Sequence, residues 1–392
     1  MSANILLYDW QSQSHDDLRE ALKKLSDVVV VDFSEQMMNY DDDPKFEHAL
    51  FEQIKIGECS ICMSFDFFPV ISKVCQRENV LYISWIYDSP HITLYSPCIL
   101  NHCNVIFSFD LMQCHELKQM GVTNVFHLPL AVNVERIDRL RRMRRSNDDI
   151  CKEFDLSFVG SLYEQNYYEQ ISYLPPHLKG YLDGICHAQR QLFGVDILSE
   201  LLEENVIDEL QEYVKLDMDP SYMISYEKMF CELFLKKYIS SLERKEYLSS
   251  FGQYRRVTLF SKSDWIENGI DLHGTVDYRS EMPLIFAKSR LNFNMTIRSI
   301  ISGIPLRCLD IMGAGSALLS NYQPELAEYF EPEKEWISFQ SKQEMIEKAE
   351  FYLQHDDIRE EIAQRGYEKV RKYFTYDKAL KTMFEIVKKI MC

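Results

Sequence analysis

Short apolar runs alternate with amphipathic stretches over the first third of the chain. Ile5–Tyr8, Val28–Phe33, Cys59–Phe65, Val80–Tyr87, Asn104–Phe109 and Val125–Val132 read as strands. Asp16–Leu25, Lys45–Lys55, Phe68–Glu78 and Leu111–Met120 between them carry helical periodicity. Continuous apolar strands separated by amphipathic helices predict a parallel, doubly wound α/β sheet. The rhythm breaks after position 133. Six arginines crowd Arg136–Arg145 and Ser146-Asn-Asp-Asp149 follows, a linker or a short exposed helix. Asp155–Val159 is again a strand, ending in Gly160 and Ser161, and residues 164–250 show helical patterns only. Then the alternation resumes through Arg256–Phe260, Asp271–Leu272, Met282–Ser289, Arg290–Met295, Leu306–Met312, Ala317–Ser320, Pro324–Tyr329 and Trp336–Phe339, and three helices finish the chain. The expected organisation is an N-terminal Rossmann-like domain over 1–133, a linker over 134–154 and a second such domain over 155–375. The second carries a helical insertion at 164–250, and a last helix follows over 376–392.

Ligands of open α/β sheets sit beyond the carboxyl ends of the strands, so the polar residues there are the first candidates. The first strand-to-helix turn, Asp9-Trp10-Gln-Ser-Gln-Ser14, has no glycine. A dinucleotide cannot approach such a backbone in the fingerprint manner, which excludes an NAD-type domain. Asp88, Ser89 and His91 around Pro90, and His127 to Asn133, are further strand-end clusters. The richest stretch is Asn294–Gly315. It reads as a strand end, a loop with Gly303 and Pro305, and a helix stopped by Gly313 and Gly315. Arg298 and Arg307 bracket the helix start. A cation in a first helical turn opposes the macrodipole unless an anion sits there. Backbone N–H groups, a helix N-terminus and two arginines describe a phosphate or diphosphate site; an ordinary turn with two solvated arginines is the alternative.

The net charge of −18, from 43 Lys and Arg against 61 Asp and Glu, excludes a general nucleic-acid binder. No secretory signal and no run of transmembrane length occur, so a cytoplasmic protein is expected. Eleven scattered cysteines suit reduced thiols, and the C-x-x-C at Cys59 and Cys62 lies in a strand that would point its thiols to opposite faces. Asp41-Asp-Asp43 and Asp217-Met-Asp219 read as solvated acidic loops, so no metal site is expected.

Leu272-His-Gly-Thr-Val-Asp-Tyr278, Glu281-Met-Pro283, Leu291-Asn-Phe-Asn-Met-Thr296, Gly303-Ile-Pro-Leu-Arg307, Asp310-Ile-Met-Gly-Ala-Gly315 and the run Asp356–Phe374 resemble the group 1 glycosyl transferases, most closely the branch of the spore maturation protein CgeB. Trp85-Ile-Tyr-Asp-Ser-Pro90, Asn104-Val-Ile-Phe-Ser-Phe-Asp110 and His127-Leu-Pro-Leu130 resemble the preceding domain of that branch. The resemblance implies a GT-B architecture, with the donor nucleotide-sugar on the C-terminal domain and the acceptor against the N-terminal one. Related enzymes carry two acids eight residues apart. Asp310 stands at the second, which binds the ribose, and Ser302 at the first, which contacts the sugar, without its charge.

By the same matching His273, Gly274 and Thr275 read the base, and Gly160 and Ser161 lie beside the diphosphate. Arg298 with Arg307 or Lys262 neutralises the leaving group. Tyr278, Asn294, Thr296, Gly303, Ile304, Pro305 and Leu306 complete the donor side, and Asp9, Trp10, Ser89, His91 and His127 the acceptor side. Arg298, Asp310 and Asp88 are the expected catalytic groups. The implied activity is a cytoplasmic, retaining, metal-independent transfer from a UDP-linked sugar, with no cofactor and an unidentified protein, glycan or lipid-linked acceptor. A GT-B-type epimerase and an inactive scaffold are the alternatives.

Overall fold

The computed structural model describes residues 3–145, 152–217 and 219–391. Ser146, Asn147, Asp148 and Asp149 of the expected linker lie outside them, as does Met218. The chain divides into two compact units. One holds Met1–Ala131, Met218–Ile224 and Thr375–Cys392, the other Val132–Asp217 and Ser225–Phe374.

The first unit runs β1 (Ala3–Tyr8), α1 (His15–Lys23), β2 (Val28–Phe33), α2 (Pro44–Ile56), β3 (Ile61–Phe65), α3 (Pro69–Glu78), β4 (Leu81–Trp85), β5 (Asn104–Ser108), α4 (Leu111–Gln119) and β6 (Val125–His127). All strands pair in parallel in the order β2-β1-β3-β4-β5-β6. The inner strands β3 and β5 are buried at every residue, as a sheet covered on both faces requires. Asp43 explains the start of α2: its carboxylate accepts the Phe46 N–H at 3.0 Å, and Pro44 occupies the first turn.

The second unit opens with α5 (Val134–Arg145) and β7 (Phe154–Val159). A helical annex follows: α6 (Tyr167–Gln170), α7 (Pro176–Arg190), α8 (Leu198–Leu201), α9 (Glu204–Tyr213) and α10 (Tyr226–Phe230). A π-turn over Cys231–Leu235 joins α10 to α11 (Lys236–Gly252). The sheet then continues with β8 (Val257–Phe260), β9 (Ile270–His273), α12 (Met282–Lys288), β10 (Ser289–Asn294), α13 (Leu306–Gly313), β11 (Leu318–Asn321), α14 (Pro324–Tyr329), β12 (Ile337–Phe339), α15 (Lys342–Gln354) and α16 (Asp356–Tyr373). The strand order is β12-β11-β10-β7-β8-β9, all parallel.

Three features depart from the pattern reading. Residues 134–145 form a helix of the second unit that buries Val134, Arg136 and Ile137, so this stretch is not a linker. The annex is not wholly helical. Asp219–Ile224 packs in the first unit, where Met223 N–H donates to Tyr95 O at 2.7 Å and the Tyr222 hydroxyl to Asp41 Oδ2 at 2.8 Å. Finally, α11 belongs to two cores. Ile239 joins the annex core around Tyr168, Leu182 and Phe230, whereas Tyr247, Leu248 and Phe251 join the core of the sheet around Phe158, Leu291 and Phe293.

The last helix, α17 (Tyr376–Met391), lies in the first unit against α1. Its stripe of Ala379, Leu380, Met383 and Val387 is buried, and Tyr376 meets Trp85 edge-on at 6.0 Å.

Candidate functional site

In the second sheet the strand order reverses between β7 and β10. That reversal opens a crevice at the carboxyl ends of the two strands, where open α/β sheets receive ligands. Gly160 and Ser161 follow β7, and Met295 and Thr296 follow β10. Gly160 has φ +148°, and a Cβ there would come within 2.8 Å of Arg307 Cζ. The backbone angle calls for glycine, and the Arg307 guanidinium lies in the space a Cβ would take. Arg307 is the second residue of α13, whose N-cap is Pro305, and its guanidinium also sits 5.4 Å from the Phe158 ring. Among the described residues no carboxylate pairs with it. A cation at the positive end of a helix, half-buried and without a counter-charge, is a site shaped for an anion.

Arg298 does not accompany it. Its Nε donates to Glu243 Oε2 at 2.9 Å, Nη2 to Glu243 Oε1 and Nη1 to Leu192 O. Both side chains are buried, so this is a compensated ion pair facing the annex. The expected Arg298–Arg307 pair is not what the structure brings together. The cation beside Arg307 is Arg244 of α11. It is 2% exposed, and its Nε and Nη2 donate to Met295 O at 3.1 and 2.7 Å while Nη1 donates to Ser161 O at 2.5 Å. Its guanidinium lies 4.5 Å from the Tyr163 ring and 5.4 Å from that of Phe158. Burial pulls Arg244 down to about 10; Tyr163 opposes this and the charge of Arg307 adds to it. It stays a cation at neutral pH.

The loop between β10 and α13 is held from behind. Thr296 N–H donates to Asn321 Oδ1 at 2.8 Å, and Gln323 Nε2 reaches the carbonyls of Ile300 and Ile301. Ser302 donates its hydroxyl to Glu325 Oε1 at 2.7 Å, and Glu325 N–H returns to Ser302 O at 3.0 Å. Glu325, in the first turn of α14, is 2% exposed. So a carboxylate stands against Ser302 although the residue itself has none. Gly303, Ile304 and Pro305 are buried, and Leu306 is half-buried.

Asp310, one turn into α13 and 3% exposed, accepts the Tyr278 hydroxyl at 3.2 Å. Asn294 Nδ2 binds Thr296 Oγ1 and Ser320 Oγ, but its Oδ1, like the hydroxyls of Ser261 and Ser299, is buried without a hydrogen-bond partner. At the end of β9, His273 is exposed, stacks on Phe260 at 4.9 Å and lies 3.3 Å from Asp271 Oδ2. Gly274, Thr275 and Lys262 are exposed, with open space over Gly274.

In the first unit the candidates collect beyond β1, β3 and β4. Trp10 Nε1 donates to Phe65 O at 3.0 Å, and Asp9 Oδ1 accepts the Gln11 N–H at 2.7 Å. Asp66, at φ +59°, accepts the N–H groups of Tyr87 and Asp88 at 2.8 and 3.0 Å. Asp88 is exposed but closely surrounded: desolvation first and Asp66 second push its carboxyl up to about 6, with His91 pulling it back. His91 Nε2 lies 3.0 Å from Phe67 N and 2.8 Å from Thr93 Oγ1, which fixes the ring against the loop after β3. Ser89 is half-buried on the loop after β4, and His127 ends β6 half-buried. The acidic triplets do local work: Asp43 caps α2, and Asp219 Oδ1 accepts the Ser221 N–H at 2.8 Å. Among the described residues no group of His, Cys, Asp or Glu is arranged to hold a metal ion.

Pattern reading missed Glu243, Arg244, Glu325 and Asp66. Glu243 and Arg244 carried a signal, since they fall on the buried stripe of α11 between Ile239 and Tyr247. Glu325 carried none, because an acid after a proline in a first helical turn is ordinary.

A glycosyl transferase-like family model matches residues 236–385, from the start of α11 into α17. No curated protein matches the chain. Solved structures share the whole architecture. A glycosyltransferase of Rickettsia africae superposes with a TM-score of 0.55 at 11% identity, over 100% of this chain and 99% of that one. Anabaena HepE, in a complex with UDP-glucose, gives 0.55 at 9% identity, over 99% of this chain and 100% of its own. A sucrose-phosphate synthase of Thermosynechococcus elongatus gives 0.55 at 10% identity, over 99% of each chain. The chain has the two-unit α/β fold of GT-B glycosyltransferases. No helix among the described residues is long and apolar enough to cross a membrane.

Proposed function

We propose that this chain is a glycosyltransferase that takes a UDP-linked sugar at the carboxyl ends of β7 and β10. The observation that carries the reading is the Arg307 guanidinium, laid across the Gly160 bend at the N-terminus of α13 without a carboxylate among the described residues. The diphosphate occupies that position and takes charge from Arg307 and Lys262. As the bond from the sugar to the nucleoside diphosphate breaks, negative charge grows on the diphosphate, and a fixed cation and helix N-terminus lower the barrier without reorganising. In this assignment no metal ion is needed. The nucleoside extends along His273–Thr275, and its ribose hydroxyls displace the Tyr278 hydroxyl from Asp310. Ser302, with Glu325 behind it, faces the sugar.

Asp88 is assigned to the acceptor side: a carboxyl near 6 is ionised at neutral pH and basic enough to take a proton from a hydroxyl. Transfer with retention, a UDP donor rather than another base, and the CgeB-like branch all belong to this reading. The UDP-glucose complex of HepE and the glycosyl transferase-like segment support it.

The test is a thermal-shift series with UDP, GDP, UDP-glucose and UDP-N-acetylglucosamine, with and without EDTA. A ligand at a hundred times its dissociation constant stabilises by about 2.7 kcal/mol. A uridine-selective rise in melting temperature that survives EDTA is expected. No rise with any nucleoside diphosphate at millimolar concentration would remove the reading.

A further inference from the structure

We propose that Arg244 and Arg307 form a two-guanidinium seat for the diphosphate, with Arg244 as a positioning residue that couples the helical annex to donor binding. This rests on the reading just given.

The geometry of α11 leads to it. Neighbouring residues on that helix do opposite things. Glu243 neutralises Arg298 across a buried ion pair, whereas Arg244 gives its donors to backbone carbonyls and to the Tyr163 side chain. Two of those bonds reach Met295 beyond β10 and one reaches Ser161 beyond β7, so a single guanidinium ties together both strand ends that flank the crevice. Carbonyl bonds satisfy hydrogen-bonding capacity but leave the net charge in place. Arg244 and Arg307 then lie 5.4 Å each from one ring, that of Phe158. Two like charges about one buried ring repel, and the repulsion is relieved by an anion bearing at least two charges.

The annex enters through α11. The helix is fixed at one end by the annex core through Ile239 and at the other by the sheet core through Tyr247, Leu248 and Phe251. Arg244 sits between these anchors, so the packing of α6, α7 and α10 sets where its fork falls. The Arg244–Met295 and Arg244–Ser161 bonds in turn set the backbone on which Arg307 rests. The annex is thereby part of the donor site without contributing a group to the ligand's base or sugar.

Titration calorimetry with UDP and with inorganic pyrophosphate tests this on four proteins: wild type, Arg244→Lys, Arg307→Met and the double variant, each checked for a cooperative melt. Arg244→Lys keeps the charge and loses the fork. It is expected to weaken both ligands about tenfold, roughly 1.4 kcal/mol. In the Arg307→Met background the same change should weaken them less than about threefold, because one seat cannot be lost twice. A merely structural arginine would lower the melting temperature and leave both dissociation constants alone, or give additive losses; either result overturns the proposal. Should Arg244→Lys fail to fold, Gly160→Ala replaces it. Its Cβ displaces the Arg307 guanidinium from its place beside Arg244, and unchanged binding of both ligands would overturn the seat. Wild-type binding of pyrophosphate without any nucleoside diphosphate would leave the seat standing and remove the glycosyltransferase reading. Binding of UDP with no response in Arg244→Lys would do the reverse. Binding of neither ligand removes both.

Discussion

The two edges of the second sheet both gather arginines, and they treat them differently. At the edge where the strands begin, Arg141, Lys152, Arg290 and Arg359 surround a cavity of about 260 Å³. Arg290 binds Asp155 and Asp356, and also Leu353 O; Arg359 binds Asp356 and Tyr352 O; Lys152 binds the carbonyls of Ala287 and Ser289. These carbonyls close α12 and α15, and Arg141 lies over Gly315 just past the end of α13. Cations at helix C-termini complement the macrodipole and satisfy its last carbonyls. Three cations of this cluster, Lys152, Arg290 and Arg359, are thus spent on carboxylates and on carbonyls at helix ends. At the edge where the strands end, Arg307 stands at a helix N-terminus instead, and Arg244 beside it is held by the carbonyls of Met295 and Ser161 and by the Tyr163 side chain. The same residue type closes structure at one edge and leaves charge to be answered at the other. The first sheet repeats this. Where its strands begin, Lys55 and Arg77 end α2 and α3 and pair with Glu78 and Glu47. Where its strands end, Asp66 and Asp88 lie together as like charges.

Arg298 lies at the edge where the strands end and is nonetheless compensated. Glu243→Gln would leave that arginine buried without its counter-charge, at a cost of about 3 kcal/mol of stability. Chemical denaturation should show this loss, with a lowered midpoint and unchanged slope. A midpoint within error of the wild type would mean that Arg298 is not held as described. For the folded fraction, UDP affinity should change little, since the proposed diphosphate seat is at Arg307.

Arg307→Met is the next largest effect, and it falls on binding rather than on folding. Loss of a charge-assisted contact costs about 2 kcal/mol, roughly a thirtyfold rise in the dissociation constant for UDP. Stability should hold or rise, because the charge next to Arg244 is gone. A variant that melts earlier and binds UDP as tightly as the wild type would place Arg307 among the caps.

These contrasts mark the limit of what the chain's pattern reveals. The alternation of apolar runs with amphipathic stretches reports the doubly wound sheets because burial on both faces of a parallel sheet is a local demand, met residue by residue. The stretch Asn294–Gly315 stands out as a candidate for the same reason, since Arg307 violates the dipole rule within its own helix. What distinguishes Arg298 from Arg307 is Glu243, fifty-five residues upstream, and no local pattern can report such a partner. The strap at Asp219–Ile224 escaped for the same cause: its anchors, Tyr95 and Asp41, belong to the first unit. Ser302 is the sharpest case. The residue alone reads as a lost charge, and only packing brings the Glu325 carboxylate to it.

The smallest effect concerns the like charges of the first sheet, and pH exposes it. Asp88 has its carboxyl near 6 where an ordinary aspartate has 3.8. The folded chain therefore holds this proton more tightly than the unfolded one. The resulting contribution to stability is complete below pH 4, fades as pH rises through 6, and above that the ionised group opposes folding. Asp88→Asn removes the charge and keeps the shape. It should stabilise the protein at pH 7.5 by about 1 kcal/mol, a value discounted for the exposure of the side chain, and the gain should vanish at pH 4. Because Asp66 adds to a shift that desolvation sets first, Asp66→Asn in the same protein should lower the Asp88 titration part of the way toward 4, as followed by NMR of the labelled carboxyl carbon. If Asp88 takes the acceptor's proton, turnover of the wild type falls below pH 6, and that acid limb moves with the titration in Asp66→Asn. An Asp88 carboxyl that titrates near 4 in the wild type would end the parallel between the two sheets, leaving uncompensated charge as a property of the second alone.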